Sequence, residues 1–217
     1  MKYRIYIVDD HPLMRRGYQS LLESEPDLLV CGEAGSVSEA LAELPEADPH
    51  LLIADITLED QSGLELIRHV HAKRPGLPIL VVSMHDEMLY GERAIRAGAR
   101  GYLTKGKTDG NLVETVRELL AGGHHLSPRM QGRALEQMAG RAAGPGQPAE
   151  SALADRELEV YELIGRGFST REVADVLRVS PKTVETYRGR IKQKIGLADS
   201  TELLHRAVRY AQDRGLV

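Results

Sequence analysis

Among the 217 residues there is no tryptophan, one phenylalanine and one cysteine. A single thiol excludes an intrachain disulfide and fits a reducing compartment. Cys31, in the apolar run Leu28–Cys31, reads as a small buried hydrophobe on a strand. Long hydrophobic runs are also lacking: nothing approaches the roughly 18 uninterrupted apolar residues of a membrane span. Met1–Val8 has no signal peptide's apolar region. A cytoplasmic protein without a membrane partner is the expectation. What remains is an ordinary apolar content of 42 %, enough for a core in one large or two small domains.

Charge divides unevenly along the chain. Residues 1–125 hold 13 Lys and Arg against 20 Asp and Glu, whereas residues 126–217 hold 15 against 12. An acidic half joined to a basic half indicates two jobs, with nucleic acid a natural partner for the second.

Four short apolar runs in the first half each end on a polar residue that can handle phosphate or metal. Tyr3–Val8 runs into Asp9 and Asp10, Leu51–Ala54 into Asp55, Ile79–Val82 into Ser83, and Tyr102–Leu103 through Thr104 into Lys105. Helical patterns separate the runs: Pro12–Glu23, Ser38–Leu44, Leu64–Lys73, Glu87–Ala97 and Gly110–Ala121. Ser36 with Glu39 makes a capping box, and Gly98 is a helix stop. Five such units predict a doubly wound, five-stranded parallel sheet with helices on both faces. In these sheets function collects at the carboxyl ends of the strands.

Three carboxylates, a hydroxyl and an ammonium then converge on one edge. Asp55 can act as a nucleophile that forms an acyl phosphate. Acids crowded around an incoming phosphoryl group make sense only with a cation. Asp10, Asp55 and the backbone carbonyl of Thr57 offer hard oxygen ligands for Mg²⁺ or Mn²⁺, with Asp9 behind them holding a water. Lys105 would place a point charge on one phosphoryl oxygen, and the Ser83 hydroxyl would donate to another. Singly these are a turn aspartate, a loop hydroxyl and a solvated lysine. Four strand ends agreeing at once give the site its force.

The stretch Gly140–Ala152 is rich in Gly, Pro and Ala and reads as a tether, preceded by a short helix that Ser127-Pro128 could cap. His124-His125 follow two glycines in what reads as an unconstrained loop. Beyond the tether only helical periodicity remains. Asp155 can cap a first helix, Ser169 with Glu172 a second, Ser180-Pro181 opens one to Ile195, and Ser200 opens Thr201–Arg214. Two helices joined by the tight turn Arg178-Val179 spell helix-turn-helix in a small all-α, four-helix domain. On Pro181–Ile195, Val184, Ile191 and Ile195 form the core stripe with Tyr187 beside them. Lys182, Thr186, Gly189 and Gln193 lie opposite, flanked by Glu185 and Arg190. Residues 178–194 hold six Lys or Arg against one Glu, which suits phosphate contact but also a plain solvated face. The last helix carries Leu203, Leu204, Ala207, Val208 and Ala211 at helical spacing, by default for core packing.

DD at Asp9-Asp10, LLIAD ending at Asp55, VVSMHDE from Val81 and ARGYLTK ending at Lys105 resemble a two-component response-regulator receiver domain, flavodoxin-like in fold. The wording is similar to the NarL/FixJ group. ADRELEVYELIGRGFSTREVADVLRVSPKTVETYRGRIKQKIGL resembles the LuxR-type helix-turn-helix throughout. The resemblance implies a receiver over residues 1–122, a linker with a short helix over 123–152, and a DNA-binding domain over 153–217. It implies phosphorylation of Asp55 by a sensor histidine kinase, with Ser83 and Tyr102 as the switch, the Tyr102 ring turning inward. It places Pro181–Ile195 in the major groove of promoter DNA. There Glu185 would accept from cytosine N4 and Thr186 would pack on a thymine methyl. Thr183 and Gly189 complete the contact set, and Lys182, Arg188, Arg190, Lys192 and Lys194 suit phosphate or mixed contacts. A homodimer on DNA is implied, the last helix contributing. Two departures stand out: Leu58-Glu59-Asp60 replaces a common Met-Pro pair, and Gly106 replaces the proline common after the lysine. Where relatives often have Thr, this chain has Ala154, leaving the helix cap to Asp155.

The chain is then not an enzyme beyond self-phosphorylation and autodephosphorylation at Asp55. An aspartyl-phosphate hydrolase would need a second acid two residues after its nucleophile, where Thr57 stands, and a cap domain. A small-molecule-sensing LuxR regulator would need an aromatic-rich pocket. An orphan regulator acting without phosphate stays open, against the intact Asp10, Asp55, Ser83 and Lys105.

Overall fold

The computed structural model describes residues 2–58, 61–85, 87–105, 108–128, 130–132 and 149–213. These fall into two compact units that divide between residues 132 and 149. Glu59, Asp60, Gly106 and most of the expected tether lie outside the described residues.

The first unit alternates strand and helix. Its strands are β1 (Tyr3–Val8), β2 (Leu28–Ala34), β3 (Leu51–Ala54), β4 (Ile79–Ser83) and β5 (Gly101–Thr104). Its helices are α1 (Pro12–Glu23), α2 (Val37–Ala47), α3 (Gly63–Lys73), α4 (Glu87–Ala97) and α5 (Thr108–Leu120). The strands pair in parallel in the order β2-β1-β3-β4-β5. Every residue of β3 and β4 is buried, which is why these strands read as unbroken apolar runs. On one face Ile5, Ile7, Leu51, Ile53, Leu80 and Val82 meet Leu22 of α1 and Leu112, Val116 and Leu119 of α5. Tyr6, Leu52 and Val81 alternate with them and are equally buried. α1 and α4 have the predicted bounds, whereas α2 extends the predicted Ser38–Leu44 at both ends. α2 continues through Pro45 until Asp48, in the left-handed conformation, returns its N–H to Leu44 O.

Cys31 is half-buried, not the buried hydrophobe expected. It is the extra residue where the β1–β2 ladder passes from Ile5↔Val30 to Tyr6↔Gly32 on an edge strand. Burial pushes its thiol pKa up. The His124-His125 segment also differs from the free loop expected. Gly122, at φ +89°, turns the chain back after α5. Tyr102 N then donates to His125 O at 3.0 Å, and His125 N donates to Arg100 O at 3.1 Å. A parallel bridge therefore pairs Gly101 with His125 along the outer side of β5. Ser127 N donates to Glu87 of α4 at 2.9 Å, and Met130 is buried against Gly91. Backbone pairing of this kind leaves no side-chain period to read.

The second unit has a 3-10 turn (Ala149–Ala152), then α6 (Asp155–Gly165), α7 (Thr170–Val176), α8 (Pro181–Ile195) and α9 (Ser200–Asp213). Ser169 Oγ and the Glu172 carboxylate form the reciprocal cap of α7. Arg178, at φ 50°, makes the turn into α8, and Ser180 Oγ caps it by accepting from Thr183 N at 3.1 Å. Two other caps shift. Ala154 occupies the N-cap of α6, with its N–H donated to the Glu157 carboxylate at 2.7 Å, so Asp155 is already inside the helix. At α9 the cap is Asp199, accepting from Thr201 N and Glu202 N, rather than Ser200.

Core packing takes Val184, Ile191 and Ile195 from α8 and Leu203, Ala207 and Ala211 from α9, while Leu204 stays 44 % exposed. A Cβ on Gly165 would fall 2.3 Å from Ala207 O, so glycine there allows α6 and α9 their close approach. Buried glutamates add polar ties that the apolar stripe does not reveal. Glu157 holds Lys194 Nζ at 2.6 Å, Glu150 holds Arg206 Nε at 3.2 Å, and Glu162 accepts from the Tyr210 hydroxyl at 3.4 Å. No described helix is long and apolar enough to cross a membrane.

Candidate functional site

β1, β3 and β5 deliver Asp9-Asp10, Asp55 and Lys105 to one end of the sheet. Lys105 Nζ lies 2.7 Å from Asp55 Oδ2 and 2.8 Å from Asp9 Oδ2, with all three side chains no more than 5 % exposed. The other Asp55 oxygen accepts from Ile56 N at 2.6 Å and from Thr57 N at 3.3 Å. Asp9 Oδ1 accepts from His11 N at 2.9 Å. Burial opposes the charge on Lys105, but the facing Asp55 and Asp9 outweigh it and lift its pKa above the ordinary lysine value. Burial raises the Asp10 pKa, His11 opposes the shift, and Asp55 and Asp9 add to it. Tyr18 of α1 lies buried nearby, its phenol pushed up by burial and by the charges of Asp9 and Asp55.

Side-chain ligand atoms of Asp9, Asp10, His11 and Asp55 lie within 4.8 Å of one another. Asp10 Oδ1 is buried with no well-directed hydrogen-bond donor among the described residues, although His11 Nδ1 stands 2.5 Å away. Three carboxylates crowded together, answered by one buried ammonium, are the chemistry a divalent cation fits. His11 was not legible as a member of this group; only its place next to the Asp pair could have signalled it.

The wall of the site comes from the β3 and β4 ends. Ser83 is fully buried, and its hydroxyl accepts from His85 N at 3.4 Å. The Thr57 hydroxyl lies 2.8 Å from His85 Nε2, and the His85 ring packs on Tyr90 with centroids 4.3 Å apart. Tyr102 is buried at 2 % exposure, its hydroxyl donating to His85 O at 2.9 Å. His85 thus links Thr57, Ser83 and Tyr102, a role with no sequence signal beyond its place two residues after Ser83. α3 starts hard against the acceptor: a Cβ on Gly63 would stand 1.8 Å from Asp55 O.

In the helical unit, Lys182, Glu185, Thr186, Gly189, Arg190 and Lys194 of α8 are exposed, while Thr183, Arg188 and Lys192 are partly covered. Several are engaged within the unit. Thr183 serves the Ser180 cap, and the Thr186 hydroxyl donates to Lys182 O at 3.0 Å. Lys194 is drawn to Glu157, and Lys192 Nζ donates to the Ser200 hydroxyl at 3.4 Å. Nothing lies within 4 Å of a Cβ built on Gly189.

An acidic edge with a buried lysine on a 2-1-3-4-5 sheet, followed by a helix-turn-helix, defines a class. Residues 5–117 match the response regulator receiver domain family, and residues 151–207 match the bacterial regulatory proteins of the luxR family. The chain belongs to the NarL/FixJ-family response regulators, transcription regulators that join a receiver to a LuxR-type DNA-binding domain.

Full-length relatives bear this out. The transcriptional regulatory protein UhpA of Salmonella typhimurium is 37 % identical over 202 residues, 93 % of this chain and 96 % of that one. The DNA-binding transcriptional activator DevR/DosR of Mycobacterium tuberculosis is 34 % identical over 201 residues, 92 % and 91 % of the two chains. Among solved structures, RcsB of Salmonella enterica serovar Typhimurium, bound to promoter P1flhDC in the presence of the phosphomimetic BeF3-, is similar with a TM-score of 0.56. That match has 25 % identity and covers 94 % of this chain and 97 % of that one.

Proposed function

We propose that Asp55 accepts a phosphoryl group from the phosphohistidine of a sensor histidine kinase, and that the phosphorylated chain binds promoter DNA as a homodimer. The observation that carries this is the buried Lys105 bridging Asp55 and Asp9 at 2.7 and 2.8 Å, at the strand ends of a receiver sheet. In the transfer an Asp55 oxygen forms the new P–O bond as the P–N bond of the phosphohistidine breaks, and the imidazole nitrogen keeps the electron pair. Lys105 sets a positive charge on a phosphoryl oxygen, and the Ser83 hydroxyl donates to another. Tyr102, tied to His85 O, holds the inward ring position that accompanies this engagement. Asp10, Asp55 and the Thr57 carbonyl would hold Mg²⁺ or Mn²⁺, with Asp9 behind them. Bound there, a divalent ion supplies positive charge that offsets the crowded carboxylates and the incoming oxygens.

On DNA, α8 enters the major groove. Lys182, Arg190 and Lys192 face phosphate. Glu185, Thr186 and Gly189 approach base edges, with Thr183 and Arg188 behind them and Lys194 at the far end. The exposed Leu204 of α9 gives the dimer an apolar contact. The receiver comprises residues 1–122 together with the strap through Gly132 that packs on it, the linker is the remainder of 123–152, the DNA-binding domain is 153–217, and the protein works in the cytoplasm.

Intact-protein mass after incubation with acetyl phosphate and Mg²⁺ tests the chemistry. Wild type should gain one phosphoryl group and Asp55→Ala none. No gain in either would leave the DNA-binding unit untouched and favour a regulator that acts without phosphate. Equal operator affinity and equal oligomeric mass with and without phosphate would overturn the coupling.

A further inference from the structure

Glu185 is an acid on the face of α8 that carries Lys182, Gly189 and Arg190. Phosphate repels a carboxylate, so backbone contact does not account for it there. Nor is it loose. Thr170, the first residue of α7, donates its hydroxyl hydrogen to Glu185 Oε1 at 2.9 Å. The same hydroxyl oxygen accepts from Arg188 Nη1 at 3.5 Å, and Arg188 Nε lies 3.6 Å from Glu185 Oε1. Thr170 has one hydrogen to give, and the guanidinium beside it can only donate, so that hydrogen is directed at the carboxylate. The Arg188 side chain is 18 % exposed against 59 % for Glu185. One hydroxyl therefore stands between a displayed acid and a retracted base, and it belongs to a different helix from both.

We infer that Thr170 is a positioning residue for sequence discrimination. The inference rests on α8 lying in the major groove. Thr170 commits Oε1, restrains the carboxylate's rotamers, and leaves Oε2 as an acceptor toward the groove. Arg188, held back, keeps the cluster near neutral without offering a competing donor to the same base pair. A carboxylate only accepts, so it favours an exocyclic amino group, cytosine N4 or adenine N6. It is repelled by guanine O6 and N7 and by thymine O4. Discrimination then comes as much from rejection as from attraction.

The test is selection from a randomised duplex library by the full chain, comparing wild type, Thr170→Val, Thr170→Ser and Glu185→Ala. Wild type should prefer cytosine or adenine at one position by about fivefold, the scale of one good base-edge contact. Glu185→Ala and Thr170→Val should both flatten that position, and Thr170→Ser should restore it. Affinity of Thr170→Val for a non-specific duplex should stay within about twofold, since phosphate contacts carry that binding. The base recovered tells cytosine from adenine. A preference lost in Glu185→Ala but kept in Thr170→Val overturns the role of Thr170. A preference unchanged in Glu185→Ala overturns the reading of Glu185 and the inference with it. Failure of wild type to enrich any sequence overturns groove reading by α8 itself.

Discussion

The two units carry their charge in opposite ways. At the receiver edge Asp9, Asp55 and Lys105 are buried and answer one another directly. On α8, Lys182 and Arg190 stand in solvent. Buried charges form a coupled set, in which loss of one member changes the energy of every other. Exposed charges act nearly independently, are screened by salt, and become strong only when phosphate displaces counterions. The helical unit also keeps an inner set, Glu157, Glu150 and Glu162, which pins helices together. The same residue types thus act as coupled sets where they are covered and as separate charges where they are not.

Glycines offer the sharpest way to break this contrast. Gly63→Ala drives a methyl into Asp55 O and should cost about 3 kcal/mol or more, as severe overpacking does. It should also abolish phosphorylation; urea unfolding and intact mass would read the two losses, and wild-type values in both would refute the close approach. Next in size is Lys105→Met, which leaves Asp9 and Asp55 buried without their counter-charge. Destabilisation of about 3 kcal/mol at neutral pH is expected for such a broken pair. Adding Asp55→Asn to Lys105→Met, or adding Mg²⁺, should recover part of it in the same unfolding assay; absence of recovery would mean the pair is not coupled. On the exposed side, Lys182→Ala and Arg190→Ala should leave stability unchanged. Each should lower the slope of log K against log salt by about 0.9, as one lost phosphate contact does. Gly189→Ala is the smallest change: a gain of up to about 1 kcal/mol in thermal stability, with weaker operator binding. A destabilised Gly189→Ala would show that its surroundings are not as open as they look.

Much of the receiver was legible because its acidic cluster and lysine gather where strands end, and strand ends can be found from apolar runs. Asp55 and Ser83 stand one step beyond such a run, and Asp10 and Lys105 two. His11 and His85 were missed because their roles depend on neighbours brought by tertiary folding, Asp10 in one case and Thr57, 28 residues away, in the other. The stripe Val184, Ile191 and Ile195 was readable from its period alone. The Glu157–Lys194 and Thr170–Glu185 contacts were not, since they join helices at separations no periodicity encodes. Caps were readable where a polar residue had no rival, as at Ser169 and Ser180. Where Asp199 competed with Ser200, the carboxylate took the N–H groups, and where Ala154 had no side chain to offer, Glu157 reached back instead.

The return of His125 alongside β5 bears on how this protein can be dissected. Cutting after Gly122 would strip Tyr102 N and Arg100 O of their partners and leave an open strand at the rim of the sheet. Unpaired rims recruit any extended chain that reaches them, including a second copy of the same fragment. Self-association of a receiver trimmed at that point would report the missing strap, not the signalling state. Keeping the chain through Gly132 retains that cover.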